Sequence, residues 1–421
     1  MQANGETAVV GAGRAATVLV VLALALVGPL FGDGHAAIAA TGCPDAQVPP
    51  PPAAVEESRA AAPAPLPWPV PPVGGAAMGA CGDVAAPGAP PVPAEVTAAG
   101  FVLADLDTGA VLAARAPHTR QRPASTLKVL TALVAIDRLD PDTTVAGVQE
   151  DLSVDGSRAG IGPGGTYTVR QLLAGLLLNS GNDTAEALAR AMGGDAVTVA
   201  AMTETARRLG AFDTRPATPS GLDGPGMASS GYDLALLFRD ALREPLFAET
   251  IATRSVAFPG YGDRPGFVLS NVNPLLFRYP GTLGSKTGFT DAARHTIVGA
   301  AERNGRRLVV AVVRAENTPV VNWRQAAALL DYGFALPAAT PAVGTLVDAA
   351  PPAPVASAGV PGPSGTFTGP VSQGLSVSTL PVVPAVAGGA VAVVAVLLAA
   401  ATLARRRRRR SRESVRSGER M

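Results

Sequence analysis

Charge is scarce in this chain of 421 residues: Asp, Glu, Lys and Arg make up 16%, and 34 basic residues face 33 acidic ones, a net charge of +1. So even a balance carries no global sign of a nucleic-acid partner, and none is expected. Histidine is scarcer. His35, His118 and His295 are the whole supply, with no His-x-x-x-His spacing or comparable ligand cluster, which argues against a zinc hydrolase. No metal and no cofactor are expected. Cysteine is limited to Cys43 and Cys81. In an oxidising compartment such an even pair suggests a disulfide. The alternative is lipidation at Cys43, where Ala40-Thr41-Gly42-Cys43 resembles a weak lipobox. Asp33 and His35, placed between the apolar run and that cysteine, argue against it.

What is plentiful is proline (39) and glycine (47), unevenly spread, which predicts long linkers around one compact unit. Both ends have a character of their own. Arg14 precedes an apolar run over 15–30, and small residues follow at 37–40, the order of an export signal over 1–40. A retained anchor is the competing reading, but the run is short for a bilayer core of about 30 Å. Residues 382–404 carry no charge and are long enough to cross once, predicting a transmembrane helix over 381–404. Six arginines at 405–410 open a basic tail over 405–421 and mark its cytoplasmic side. The expectation is therefore a single-pass protein of the cell membrane with its body outside.

Between the ends, 41–94 is a Pro/Ala-rich exported segment, expected to be extended, pinned by the cysteines and packed through Trp68 or Val70. Residues 95–336 form the patterned domain, and 337–380 return to Pro, Gly, Ser and Ala as a linker. Within the domain, 101–105 and 110–114 flank Asp107-Thr108-Gly109 and read as a hairpin. Pro123 introduces a nearly all-apolar stretch, 125–139, which predicts a buried helix. Further helices are predicted over 169–178, 184–192, 196–209 (closed by Gly210) and 232–243. Asn304-Gly305 between 296–301 and 307–313 is a hairpin signal, and a last helix over 323–332 is predicted to stop at Gly333. Strands at both ends with helices between them predict an α+β fold: an antiparallel sheet with flanking helices plus an all-helical cluster.

Three short segments carry chemistry. Ser125 and Lys128, three apart on a helix, share a face, with Ser125 in the first turn where free N–H groups favour negative charge. An apolar setting lowers the amine's pKa and suits Lys128 as base to the hydroxyl. Asn179-Ser180-Gly181-Asn182-Asp183-Thr184 interrupts two helices and offers the Ser180 hydroxyl and Asn182 amide to a cleft. Gly284-Ser285-Lys286-Thr287-Gly288-Phe289-Thr290 precedes the final hairpin, where an edge strand binds a carboxylate through Lys286 and Thr287 while its backbone pairs with an extended substrate. Each alone has an ordinary structural explanation. Taken in this order, with 55 residues from Ser125 to Ser180 and 106 from Ser180 to Lys286, they form the signature set of penicillin-binding proteins and β-lactamases.

With Pro219-Ser220-Gly221-Leu222-Asp223-Gly224 added, the chain resembles low-molecular-mass D-alanyl-D-alanine carboxypeptidases over roughly 95–335. The likeness extends to actinobacterial, mycobacterial-type members with a C-terminal span. It implies a β-lactamase/transpeptidase-like fold and a serine peptidase acting on peptidoglycan stem peptides that end in D-Ala-D-Ala, acylated by β-lactams. By that likeness Ser125, Lys128, Ser180 and Asn182 are catalytic, and Lys286, Thr287, Gly288 and Phe289 bind substrate. The oxyanion is held by the N–H groups of Ser125 and Phe289. Many relatives carry a second, β-rich domain after the peptidase domain, whereas here only the Pro-rich linker follows. Competing readings are a serine β-lactamase, a D,D-endopeptidase or transpeptidase, and a non-catalytic penicillin-sensing wall module. From Gly210 to Ser230 the acids are Asp213 and Asp223 with no glutamate, which argues against fast penicillin hydrolysis. Intact polar residues in all three motifs argue against a non-catalytic module.

Overall fold

The computed structural model describes residues 63–351, together with Cys43 and residues 47–49. The predicted export signal, transmembrane helix, basic tail and most of the second linker lie outside the described residues. Among the described residues no helix is long and apolar enough to cross a membrane.

The main sheet is built from both ends of the domain. Strands β1 (Asp83–Ala85), β2 (Gly100–Asp105) and β3 (Ala110–Arg115) come first. Next come helix α1 (Lys128–Arg138), the short pair β4 (Thr144–Ala146) and β5 (Thr166–Thr168), and helices α2 (Val169–Leu178), α3 (Asn182–Ala191), α4 (Asp195–Leu209), α5 (Gly231–Ala241) and α6 (Pro245–Ala252). A hairpin of β6 (Ser255–Phe258) and β7 (Phe267–Ser270), with helix α7 (Pro274–Arg278), leads back to β8 (Thr282–Thr290), β9 (Arg294–Arg303) and β10 (Arg306–Ala315). Helix α8 (Asn322–Ala335) and a two-residue strand, β11 (Gly344–Thr345), finish the described chain. The strand order is β1-β3-β2-β10-β9-β8, antiparallel throughout, so β8 is an edge. This is the α+β architecture that the order of elements predicts.

Strict alternation explains the two cores. On β10, Val309, Ala311 and Val313 face the helical cluster, while Leu308, Val310 and Val312 face α8 through Ala326, Leu329 and Leu330. Each fully buried aliphatic side chain contributes about 1.5–3 kcal/mol. Local signals set the ends of elements. Thr168 and Gln171 form a reciprocal capping box that starts α2. Gly210 at φ 90° closes α4, and Asn304 and Gly305, at φ 53° and 75°, make the tight β9–β10 turn.

Four expectations differ from what is observed. The helix predicted from Ser125 is divided: Ala124–Leu127 is a 3-10 turn, and the α-helix starts at Lys128. Helix α8 runs through Gly333 to Ala335. A Cβ at Gly333 would lie 2.7 Å from Leu308 Cδ1 and 2.9 Å from Leu103 Cδ2, so this glycine is a site of close helix–sheet approach, not a stop. The packed unit also extends past both expected domain boundaries. Upstream of residue 95, β1 pairs with β3, and Arg120 lies 4.1 Å over the Trp68 ring while Val70 is exposed. Downstream of residue 336, β11 pairs with β3, Leu346 is fully buried and Asp348 accepts from Arg239 and Arg243. Helices α6 and α7 and the β6–β7 hairpin, which periodicity did not predict, fill the return from the helical cluster to the sheet. Cys43 and Cys81 are bonded to each other, as the even pair suggests.

Candidate active site

The site lies where the start of α1, the α2–α3 junction and edge strand β8 meet. Ser125 occupies the 3-10 turn before α1, half-buried. That turn is held from two sides: Thr126 Oγ1 donates to Pro123 O at 2.6 Å, and Thr296 Oγ1, on β9, donates to the same carbonyl at 2.8 Å. Ala124 is left at φ 49°, an uncommon conformation for a residue with a side chain and one that concentrates at functional sites. Two glycines allow neighbouring backbones to reach this turn. A Cβ on Gly288 would lie 2.7 Å from Ser125 N, and one on Gly221 would lie 2.2 Å from Ala124 O.

Lys128 is fully buried one turn on. Its Nζ donates to Ser125 Oγ at 3.0 Å, Asn182 Oδ1 at 2.6 Å and Ser220 O at 2.5 Å. Burial, reinforced by the charge of Lys286, pulls its ammonium well below the usual lysine range, while Asp183 and Glu186 push it back up. Two of its partners, an amide oxygen and a carbonyl, can only accept. A neutral Lys128 amine therefore spends its two N–H bonds on them and turns its lone pair to the Ser125 hydroxyl.

The second segment sits between α2 and α3. Ser180, at φ 60°, places its Oγ 2.9 Å from Lys286 Nζ. Asn182 is held through both ends of its amide, with Oδ1 accepting from Lys128 and Nδ2 donating to Asp155 O at 2.6 Å. The third segment is the middle of β8. Lys286 is fully buried, and burial alone pulls it down to about 7. Thr287 turns its hydroxyl to Asn273 Oδ1 at 3.2 Å, and its N–H donates to the same oxygen at 3.1 Å. Phe289 is exposed at the mouth, its ring centroid 4.5 Å from that of His295.

All eight residues singled out in the sequence thus come from these three segments, and their side chains make two sets of contacts: Lys128 with Ser125 and Asn182, and Lys286 with Ser180. Sequence reasoning missed the Ser220 carbonyl as a partner of Lys128 and Asn273 as the holder of Thr287. The Asn271-Val272-Asn273-Pro274 run was a turn signal that could have pointed to the second. Arg294, at the start of β9 with its guanidinium 5.7 Å from the Phe289 ring centroid, donates to Glu316 through two 2.8 Å contacts.

A second polar cluster, which among the described residues shares no hydrogen bond with the site, holds the Pro-rich strap of residues 63–73. His118 Nδ1 is 2.7 Å from Asp213 Oδ2 and its Nε2 is 2.9 Å from Val73 O. Arg120 donates to Asp213 at 3.1 Å and to the carbonyls of Leu66 and Pro67. Asp233, fully buried, accepts from Asp213 N at 2.8 Å and Thr214 Oγ1 at 2.7 Å. Burial and the neighbouring Asp213 push Asp233 up to about 8. His118, Asp213 and Asp233 lie close enough to hold a cation, but both imidazole nitrogens already have protein partners, so the cluster reads as a structural anchor for the strap. A cavity of about 760 Å³ between the strap and the end of α4 is lined by none of the eight site residues.

Comparison with known proteins agrees with the geometry. The family profile described as D-alanyl-D-alanine carboxypeptidase matches residues 85–317. The chain is 49% identical over 259 residues to D-alanyl-D-alanine carboxypeptidase DacB2 of Mycobacterium tuberculosis, covering 60% of this chain and 88% of that protein. It is 32% identical over 239 residues to DacF of Bacillus subtilis, a D-alanyl-D-alanine carboxypeptidase of which the match spans 61%, and 55% of this chain. Among solved structures, a D-alanyl-D-alanine carboxypeptidase from Mycobacterium tuberculosis superposes with a TM-score of 0.60 at 47% identity, covering 62% of this chain and 99% of that one. A Streptomyces DD-transpeptidase gives 0.56 at 28% identity, covering 59% of this chain and 100% of that one.

Proposed function

The chain belongs to the D-alanyl-D-alanine carboxypeptidase family, and from that premise we propose how its own residues carry the reaction. It is a serine peptidase of the penicillin-binding fold acting on peptidoglycan peptides that end in D-Ala-D-Ala. Lys128 takes the Ser125 proton as the Ser125 oxygen attacks the carbonyl carbon between the two terminal D-alanines. The N–H groups of Ser125 and Phe289 receive the oxyanion, as donors fixed before the charge develops. When the intermediate collapses, the C–N bond breaks, and the departing D-alanine amine takes the proton that Lys128 carries, relayed through the Ser180 hydroxyl beside Lys286, which returns Lys128 to its neutral form. Lys286 and Thr287 hold the free carboxylate of that D-alanine. Water, deprotonated by Lys128, then attacks the ester on Ser125, and Lys128 returns that proton to the Ser125 oxygen as the shortened peptide leaves. β-Lactams acylate the same oxygen.

One observation carries this reading above the rest: Lys128 is fully buried with two obligate acceptors at its back and Ser125 Oγ at 3.0 Å in front. An ordinary structural lysine would reach for solvent. The test uses a fluorescent penicillin and, separately, a peptide ending in D-Ala-D-Ala. Covalent label on Ser125 and free D-alanine are expected from the wild type, and neither from Ser125→Ala. No label at all would sink the enzyme reading, and label lost within milliseconds would favour a β-lactamase. An amine acceptor added to the peptide assay separates hydrolysis from transpeptidation.

We further propose that the domain is tethered outside the cytoplasmic membrane. The support is the sequence: an uncharged run over 382–404 followed by the arginines at 405–410. Recovery of the full-length protein in the soluble fraction, with no detergent needed, would count against the tether.

A further inference from the structure

The 155–161 segment forms one wall beside the catalytic residues, and a single carboxylate holds it there. Asp183, fully buried in the first turn of α3, accepts four backbone N–H bonds. They come from Ala159 at 2.8 Å, Gly160 at 2.7 Å, Ile161 at 3.2 Å and its own neighbour Thr184 at 2.9 Å. Three of the four donors belong to the wall. The wall in turn grips Asn182 twice: Asp155 O accepts from Asn182 Nδ2 at 2.6 Å, and Ser157 O accepts from Asn182 N at 2.7 Å. Between these contacts Gly156, at φ 80°, comes so close that a Cβ there would lie 2.8 Å from Asn182 Nδ2.

We propose that Asp183 is a positioning residue for the acylation step, fixing the 155–161 wall so that the Asn182 amide can face Lys128 only through its oxygen. This rests on the acyl-serine reading above. An amide has a donor end and an acceptor end, and Lys128 tolerates only the acceptor. While Asp155 O occupies Nδ2, a flip of Asn182 would set an NH2 against the Lys128 amine and leave a carbonyl facing a carbonyl. Release the wall, and nothing prevents that flip. Lys128 then loses one of the two acceptors that turn its lone pair to Ser125. The groups whose charge bears on Lys128 are Lys286 from β8 and Asp183 and Glu186 from α3. The same residue that holds the wall therefore also adds to the field at the base.

Two variants of the full-length protein test this from opposite sides: Asp183→Asn, which replaces a carboxylate by an amide unable to serve all four N–H groups, and Gly156→Ala, which wedges the wall away from Asn182. The readout is the rate of acylation by fluorescent penicillin as a function of pH. Displacing a catalytic group by about 1 Å costs roughly 100-fold, and a loss of about that size is expected in both variants. In Asp183→Asn the acid limb should also move to lower pH, because Lys128 loses both a negative neighbour and an acceptor for its ammonium. A wild-type rate and limb in Asp183→Asn would overturn the proposal. So would a loss that merely tracks the folded fraction, measured by thermal unfolding, while the limb stays in place. A wild-type protein that never labels would defeat the parent reading first, a result visible before either variant is made.

Discussion

Lys286 Nζ lies 2.9 Å from Ser180 Oγ, and this contact bridges the edge of the sheet to the helical cluster across the mouth of the site. Both groups come from segments that are unremarkable in isolation. Joined, they set an amine beside a hydroxyl, the pair that the proposed mechanism uses to hold the departing carboxylate and to protonate its amine.

Burial pulls Lys286 down to about 7, so its charge is present below that pH and lost above it. If the charge anchors a terminal carboxylate, kcat/KM for a D-Ala-D-Ala peptide, which reports the free enzyme, should fall as pH rises through about 7. The same limb should be absent for a substrate whose terminal carboxylate is esterified. For Lys286→Ala we expect a larger loss on the free acid than on the ester, and equal losses would refute the anchoring role.

Lys128→Met keeps the length and apolar stem of the side chain but removes the base. General-base catalysis is worth about 100- to 10,000-fold, and acylation of Ser125 by a fluorescent penicillin should slow by an amount in that range. Ser125→Ala, by contrast, should abolish label completely. An acylation rate in Lys128→Met within a few-fold of wild type would assign the proton to another group.

How much of this was legible beforehand differs from residue to residue. Ser125, Lys128, Ser180, Asn182 and Lys286 could be read because their chemistry is local: each sits in a short motif, and the three motifs, ordinary one by one, occur together in one order and at fitting junctions. Asn273 and the Ser220 carbonyl could not, because their roles arise only when α7 and the loop before α5 fold over the site. The same distinction holds for the fold. The short apolar runs of β2, β3, β9 and β10 around their turns, with Asn304-Gly305 the clearest of these, declare themselves in sequence. Gly333 misleads, since a glycine that ends a helix and one that lets a helix touch a sheet are the same letter. Strand β11 was hidden for another reason: Gly344–Thr345 is too short to show any period.

Asp233 and His118 give the strap a pH dependence. Burial and Asp213 push Asp233 up to about 8, so its neutral form is the one the fold prefers. For His118, burial pulls down and the hydrogen bond and charge of Asp213 push up, and the net shift is upward. A group raised on folding contributes fully below its unfolded pKa, and that contribution is lost as pH rises through the folded value. Both shifts therefore predict a Tm that declines between about pH 5 and pH 8. Asp233→Asn, which keeps an acceptor for Asp213 N and Thr214 Oγ1, should flatten that decline. A Tm that rises over this interval in the wild type would contradict the assignment.

Gly333→Ala sets helix propensity against packing. On propensity alone alanine in a helix interior is favoured over glycine by about 1 kcal/mol, and the substitution would stabilise α8. The added Cβ, however, would meet Leu308 Cδ1 at 2.7 Å and Leu103 Cδ2 at 2.9 Å, both on fully buried side chains of the sheet. Neither leucine can swing into solvent, and overpacking a tight core costs about 1–3 kcal/mol. Packing should win, and the variant should unfold at lower denaturant concentration with its m-value unchanged. Because α8 lies on the face of the sheet opposite the helical cluster, acylation of Ser125 in the folded fraction should stay at the wild-type rate. A midpoint shifted to higher denaturant would mean that the sheet yields to the methyl group, and that this glycine is not needed for close approach.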